Sequence, residues 1–147
     1  MPAELAERFR KRLAAADAAI SGLTEEHAAT HVRGEGWLRK EVLGHLIDSS
    51  INNHVRFVAA AAAGEYTGPS YDQSNWVRLN GYGAQPWAEV LSQWRMRNSA
   101  LTRVVEHIPA EALGTMCKVG GHAPVTLEFL IIDYLDHLEH HVSQITA

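Results

Sequence analysis

The feature that most constrains the fold is a set of four long amphipathic segments, separated by breaks rich in glycine and proline. Within each segment, apolar residues recur at three- and four-residue spacing, which is typical of a helix with one buried face. The predicted helices cover about 3–21, about 38–63, Pro86 to just before Pro109, and Thr126 as N-cap to close to the C-terminus. The sequence therefore predicts an all-α four-helix bundle that takes up 1–147 as a single domain. The apolar seam of the second helix is formed by Leu43, Ile47, Ile51, Val55 and Val58.

The connections between these helices are long enough to cross the bundle, so up-and-down order and crossover order both fit the spacing. The longest connection, 64–85, has room for a short helix at 72–79 with Asp72 as its N-cap. In 109–125, the pair Gly120-Gly121 could turn a short hairpin between 116–119 and 123–125. The polar stretch 23–36 is expected to be irregular, apart from a helical turn at 24–26.

The composition excludes several classes of function. The formal net charge is -4 and there is no long basic run, so nothing indicates a surface for nucleic acid. No apolar run approaches the ~20 residues needed to span a bilayer, and the N-terminus lacks the apolar core of a signal peptide. Cys117 is the only cysteine, which fits a reducing compartment. We therefore expect a cytoplasmic protein without nucleic-acid or membrane partners.

Two of the nine histidines are placed in a way that suggests a metal site. His137 and His141 are four residues apart on the fourth helix, so both project from one face, one turn apart. Spacing alone is weak, because such a pair is expected about 0.5 times by chance, and His27 and His31 share it in a polar segment. His137 and His141 differ because they border the apolar seam. Buried histidines need partners, which a metal ion or carboxylates would provide.

A third ligand should come from another helix, and His45 is the best candidate. It lies about six residues from the start of the second helix, and His141 lies about six residues from the end of the fourth. If these helices are antiparallel, both side chains lie at one level, ~9 Å from one end of the bundle. Taken alone, His45 would be a core histidine bonded to a polar neighbour. Three histidines without a fourth protein ligand leave open positions, as in catalytic rather than structural sites.

Asp48 and Arg56 share a helical stripe with His45. Asp48 is the nearest candidate for a general base. Arg56 could bind a substrate carboxylate, which its planar guanidinium fits, or it could pair with Glu65 near the helix end. The other histidines are expected to lie outside the ligand set, either exposed or beside it: His54, His107, His122 and His140.

Four short motifs follow one another along nearly the whole chain. They are Glu35-Gly36-Trp37 with Glu41-Val42-Leu43-Gly44-His45-Leu46, then Tyr71-Asp72-Gln73-x-x-Trp76, then Thr126-Leu127-Glu128, and finally His137-x-x-x-His141-x-x-Gln144-Ile145. In this order they resemble the DinB/YfiT-like family of metal-dependent enzymes, and its YfiT-type branch in particular. One departure is visible, because the family often has Ser or Thr where this chain has Leu38, ahead of Glu41. A missing cap of this kind costs ~1 kcal/mol.

The resemblance implies a bundle in up-down-down-up order, in which the second and fourth helices are antiparallel. It implies a divalent metal ion, usually nickel or zinc, on the positions of His45, His137 and His141. It also suggests a homodimer that acts on small molecules. Some relatives use a low-molecular-weight thiol such as bacillithiol or mycothiol.

Three functions are compatible with these residues. The first is a thiol-dependent S-transferase or isomerase acting on small electrophiles, in which the metal holds a thiolate or polarises the acceptor. The second is metal-dependent hydrolysis, in which the same site activates water. The third is a metal-binding stress protein or interaction module without catalysis.

Overall fold

The computed structural model describes residues 2–147, and the four predicted long helices dominate it. In chain order the helices are α1 (Pro2–Ile20), α2 (Glu25–Ala28), α3 (Arg39–Ala63), α4 (Gln73–Asn80), α5 (Trp87–His107) and α6 (Leu127–Thr146). Two 3-10 turns, Tyr82–Ala84 and Ala110–Gly114, lie in the connections. The ends of the long helices α1, α3 and α5 fall within one residue of the predicted ends, and α6 starts directly after its predicted cap.

Local capping signals set the starts of several helices. The side chains of Thr24, Asp72 and Thr126 each accept a hydrogen bond of 3.1 Å from the backbone N–H three residues later. The side chain of Leu38 has no acceptor, as the sequence indicates. However, Glu41 Oε1 accepts a hydrogen bond of 2.9 Å from the Leu38 N–H. The start of α3 therefore keeps the glutamate half of a capping box, which offsets part of the missing cap.

Ion pairs show that α1 and α5 run in opposite directions. Near the middle of α1, Arg10 donates to Glu106 at 2.8 Å, close to the end of α5. Further along α1, Asp17 accepts from Arg95 at 2.8 Å, in the first half of α5. These pairs are largely exposed, so they report the register of the two helices more than they stabilise it.

Contacts of α6 fix the remaining directions. Phe9 stacks on Tyr134, with ring centroids 5.9 Å apart, and Arg12 donates to Glu139 at 2.9 Å. Positions in α1 and α6 therefore increase together, and these helices are parallel. At the start of α3, Arg39 Nε donates to the Ile145 carbonyl at 3.0 Å, in the last turn of α6.

Helix α3 is thus antiparallel to α6. It starts beside the start of α5, where Lys40 Nζ donates to the Gln85 carbonyl at 2.9 Å. With α1 up, α3 and α5 run down and α6 runs up. The up-down-down-up order implied by the resemblance is therefore confirmed.

A small three-stranded sheet is formed by the two longest connections. Strands β1 (Tyr66–Gly68) and β2 (Met116–Val119) are parallel, and β3 (Val125–Thr126) pairs antiparallel with β2. The hairpin expected in 109–125 is present, although its second strand is Val125–Thr126 rather than 123–125. Gly120 leads out of β2 with φ of 57°, a left-handed conformation that favours glycine. Strand β1 was not predicted.

The core contains apolar side chains from all four long helices, and the largest fully buried ones include Phe9, Phe57, Trp94 and Leu138. The predicted seam of α3 is wrong in its second half, because Val55 and Val58 are 60 % and 46 % exposed. The turn that holds Tyr82 packs against the first half of α3, over Gly44. In residues 2–147, no helix is long and apolar enough to cross a membrane.

Candidate metal centre

Three histidine side chains meet where the first half of α3 faces the last turns of α6. The Nε2 atom of His137 lies 3.2 Å from Nε2 of His45 and 3.1 Å from Nε2 of His141. One nitrogen from each of the three rings lies within 4.8 Å of the others. Among residues 2–147, this is the only group of three or more potential metal-ligand side chains at that spacing. The structure thus brings together the three histidines that the sequence singled out.

These imidazoles are neutral at physiological pH. His45 is 1 % exposed, and burial, together with repulsion from His137 and His141, lowers its pKa to about 3. Burial and repulsion from His141 and His140 lower the pKa of His137 to about 4. Burial also lowers the pKa of His141, although the hydrogen bond that its ring donates to Gln144 opposes that change. A neutral imidazole has a free nitrogen lone pair, which a metal ion requires.

Neighbouring side chains orient two of the rings. His141 Nδ1 lies 2.8 Å from Gln144 Oε1. Because an amide oxygen only accepts hydrogen bonds, Nδ1 carries the proton and Nε2 presents its lone pair to the cluster. The ring of Trp37 packs against that of His45, with centroids 5.2 Å apart. Nδ1 of His45 is buried without a hydrogen-bond partner among the described residues.

The cluster fits a divalent metal ion. Two ligand nitrogens 3.1–3.2 Å apart, at metal–nitrogen bonds of ~2.0–2.1 Å, subtend an angle of about 100° at the metal. That angle lies between the ligand–metal–ligand angles of octahedral and tetrahedral coordination. Nickel and zinc both accept imidazole nitrogen as a ligand. Within the described residues the group has three members, so further coordination positions stay open to small molecules.

Asp48 lies one turn after His45 but interacts with a different part of the protein. Its Oδ1 accepts hydrogen bonds from the Tyr82 hydroxyl at 2.6 Å and from Asn80 Nδ2 at 3.0 Å. The residue is fully buried, and Oδ2 has no partner among the described residues. Burial raises the pKa of Asp48 to about 6, although the bonds from Tyr82 and Asn80 oppose this change.

A cleft of about 520 Å³ opens beside the histidines and is lined by His137. Its lining also includes Arg56, as well as Tyr71 from the connection before α4, but it does not include Asp48. Arg56 is not paired with Glu65. No carboxylate oxygen of the described residues lies within 4.0 Å of its guanidinium nitrogens. The structure thus places Arg56 on the cleft, whereas Asp48 is buried and is not among the residues that line it.

The remaining histidines lie outside the cluster. His31 Nδ1 contacts the Gly36 carbonyl in an exposed loop, and His107 Nδ1 contacts the Arg103 carbonyl. His140 is exposed and packs its ring beside His141, at 5.3 Å between centroids. His122 is exposed at the rim of the cleft, a placement that the sequence did not indicate.

The sequence analysis gave no role to the side chains that support the site, although Trp37 and Gln144 belong to the motifs that carry the family resemblance. Gln144 has a readable signal, since it lies three residues after His141 on the same helix and can reach its ring. Trp37 and Tyr82 have no local signal for the particular contacts they make with His45 and Asp48, because they reach α3 from outside it through tertiary packing.

Comparisons with known proteins identify relatives of this chain. The family model of the DinB superfamily matches residues 8–145. The candidate metal-dependent hydrolase YfiT of Bacillus subtilis (strain 168) is 26 % identical over 136 residues, which cover 87 % of this chain and 72 % of YfiT. A candidate metal-dependent hydrolase of Geobacillus thermodenitrificans (strain NG80-2) is 25 % identical over 133 residues, 88 % of this chain and 74 % of the relative.

Solved structures share the fold at low sequence identity. The structure of YfiT from Bacillus subtilis, described as an unusual four-helix bundle, superposes with a TM-score of 0.85 at 20 % identity, over 99 % of this chain and 83 % of that one. A mycothiol-dependent maleylpyruvate isomerase superposes with a TM-score of 0.83 at 12 % identity, over 100 % of this chain and 61 % of the isomerase. Since the family model spans nearly all of the sequence, the chain belongs to the DinB superfamily.

Proposed function

We propose that this chain is a metal-dependent enzyme in which His45, His137 and His141 bind one nickel or zinc ion. We propose further that it is an S-transferase or isomerase that uses a low-molecular-weight thiol of the bacillithiol or mycothiol type, either joining the thiolate to a small electrophile through a new S–C bond or isomerising that electrophile. The observation that carries the proposal is the convergence of three neutral imidazoles beside a cleft of about 520 Å³. That volume suits a small molecule.

A divalent ion held there would supply Lewis-acid polarisation and lower the pKa of a thiol or of water. The chain's own residues orient the ligands and the substrate. Gln144 fixes the tautomer of His141, and Trp37 packs against the ring of His45. Arg56 and Tyr71 present hydrogen-bond donors to the cleft.

Asp48 stays the candidate general base, because a pKa of about 6 is close to the value that proton transfer at neutral pH requires. Its carboxylate does not line the cleft. A proton would therefore have to be relayed to Asp48 by a side chain or a water molecule. Replacement by asparagine should remove this relay while the metal ligands stay in place.

Metal content is the decisive measurement, made on protein purified without a metal-binding tag. We expect about one ion per chain in the wild type and its loss in His141→Ala, since a tridentate site loses a ligand. The matched control is His140→Ala, which removes an exposed neighbouring histidine outside the cluster and should retain the ion. Absence of metal in the wild type, even after reconstitution with nickel and zinc, would contradict the proposal.

Metal-dependent hydrolysis is the second candidate, and the two relatives described as candidate metal-dependent hydrolases favour it. A panel of electrophiles and esters, assayed with metal-loaded protein in the presence and absence of bacillithiol or mycothiol, separates the two reactions. Turnover only with thiol supports transfer or isomerisation, and turnover without thiol supports hydrolysis. A metal-binding stress protein would bind the ion and show neither.

The homodimer implied by the resemblance and the cytoplasmic location expected from the composition belong to the same proposal. Size-exclusion chromatography with light scattering tests the dimer directly. A monomer at micromolar concentration would remove this part of the proposal and leave the metal centre untouched.

A further inference from the structure

Arg56 is a cationic side chain on the cleft without an anionic partner. One of its terminal nitrogens donates to the Pro69 carbonyl at 3.3 Å, and its guanidinium carbon lies 5.7 Å from the centre of the Tyr71 ring. Among the described residues no carboxylate forms an ion pair with it within 4.0 Å. Three other arginines do have such partners, namely Arg10, Arg12 and Arg95.

These contacts hold the guanidinium at the cleft and leave most of it unused. An arginine has five N–H donors in a planar fork, which matches the two oxygens of a carboxylate. The Pro69 carbonyl occupies one side of that fork, and the Tyr71 ring supports its face. An orientation fixed in advance lowers the entropy lost when an anion binds.

The rest of the cleft is divided between polar and apolar surfaces. Ser49, Asn53 and Tyr71 line it together with Arg56. Phe129 and Leu130 from α6 contribute apolar surface. The cleft thus offers a cation, a polar strip and an apolar surface to the same small molecule.

We infer that this cleft binds a small substrate that carries a carboxylate, with the carboxylate on Arg56, an apolar body against Phe129 and Leu130, and the reacting end at the histidine cluster. The inference rests on the proposed function, because it takes the histidine cluster as the reacting end. His137 and Arg56 line one continuous cleft, so a single molecule can reach both.

Asp133 restricts the class of substrate further. It lines the same cleft from α6 and does not pair with Arg56 within 4.0 Å. Its negative charge opposes a second anionic group on the apolar side of the cleft. The favoured substrate is therefore a monocarboxylate whose remaining part is neutral.

Paired chelating probes test the inference on zinc-loaded protein. Each probe is a straight-chain hydroxamate, which binds zinc through two oxygens, with two to six methylene groups before its far end. The far end is either a carboxylate or a methyl group. At the chain length that spans the cleft, we expect the carboxylate probe to bind about 10-fold more tightly than the methyl probe of the same length. This factor corresponds to the lower end of the free energies found for hydrogen bonds to charged groups.

Variants identify the group responsible for that preference. Arg56→Met should reduce the preference to about one by weakening the binding of the carboxylate probes. Arg56→Lys should give an intermediate value because it keeps the charge without the fork. The control is Arg78→Met, on α4, where the side chain bonds to Asn75 outside the cleft. In Arg78→Met, the preference for carboxylate over methyl probes should stay at its wild-type value. Equal affinities of carboxylate and methyl probes at every length would overturn the inference.

A metal-free measurement separates this inference from the proposed function. Hexanoate is titrated into ¹⁵N-labelled apoprotein, and the Arg56 Nε–H resonance is followed. A shift of that resonance, combined with no hydroxamate binding after zinc reconstitution, would refute the metal centre and retain the carboxylate site. Hydroxamate binding with no carboxylate preference and no hexanoate shift would retain the metal centre and refute the carboxylate site.

Discussion

Replacement of Asp48 by asparagine should stabilise the metal-free protein at neutral pH. Asp48 is fully buried, and Oδ1 alone receives the hydrogen bonds from Tyr82 and Asn80. Oδ2 has no partner among the described residues. A buried carboxylate with one unpaired oxygen favours the protonated form, so burial raises the pKa of Asp48 from 3.8 to about 6.

The sign of the pH dependence follows from this direction. The folded protein keeps Asp48 protonated up to a higher pH than the unfolded chain does. The protonated group therefore makes its full contribution to the free energy of unfolding below about pH 4. This contribution is lost as the pH rises through about 6. The full loss corresponds to at most ~3 kcal/mol. Asparagine removes the charge, but its amide oxygen accepts weaker hydrogen bonds and its NH2 group has no acceptor at the position of Oδ2. A net gain of at most about 1 kcal/mol is therefore expected above pH 7.

Urea denaturation in the presence of a chelator measures this gain at pH 4.5 and pH 7.5. Asp48→Asn should be more stable than the wild type at pH 7.5, and the difference should shrink at pH 4.5. The histidines with lowered pKa values destabilise both proteins at low pH, so their effect cancels in the difference. The control, Asp133→Asn, changes a carboxyl that is exposed and should show a smaller change with pH. A variant less stable than the wild type at pH 7.5 would refute the reasoning.

Three further substitutions test the packing and the site. Gly44→Ala should cost about 1–3 kcal/mol of unfolding free energy in urea denaturation, because an added Cβ would overlap the Tyr82 ring. Gly22→Ala is its control, since Gly22 has open space around it. Equal stabilities of Gly44→Ala and the wild type would contradict the close approach of Tyr82 to Gly44. Gln144→Leu should weaken zinc binding about 10–100-fold in competition with a chromophoric chelator, and unchanged affinity would show that His141 needs no orienting partner. Phe9→Ala should cost about 3–5 kcal/mol of unfolding free energy while retaining zinc. Loss of the metal would mean that the middle of α1 positions the ligands.

The helices were predictable because each buries one face for most of its length. That periodicity placed the ends of the long helices within one residue, and side-chain caps such as Asp72 added local signals. The order of the helices was not predictable from the residues alone, because the connections allow both orders. Strand β1 has only three residues, and Tyr66 pairs with Cys117 from the other connection, so no local pattern indicates it.

The limits of periodicity are clearest on α3. The sequence shows an apolar stripe that includes Val55 and Val58, but periodicity does not reveal whether another element covers it. In the structure, the turn with Tyr82 covers the stripe near Gly44, and both valines are exposed. Asp48 illustrates the same limit, because its burial and its bond to Tyr82 depend on a segment far along the chain.

The site was more predictable than its surroundings, since ligand spacing on one helix is a local property. His137 and His141 could be paired from sequence, but adding His45 required the assumption that α3 and α6 are antiparallel. The structure supplies that arrangement through Arg39, whose guanidinium donates to the carbonyls of His31, Ile145 and Ala147.

Arg39 links the beginning of α3 to the last turn of α6, one to two turns from the histidines on each helix. Charge-assisted bonds to helix-end carbonyls satisfy groups that the helix itself leaves unpaired, and a cation there is favoured by the helix dipole. The register of the two ligand-bearing helices is therefore set by contacts outside the cluster. Three neutral imidazoles can then be brought together by the fold itself, at a cost in burial that a bound divalent ion would offset.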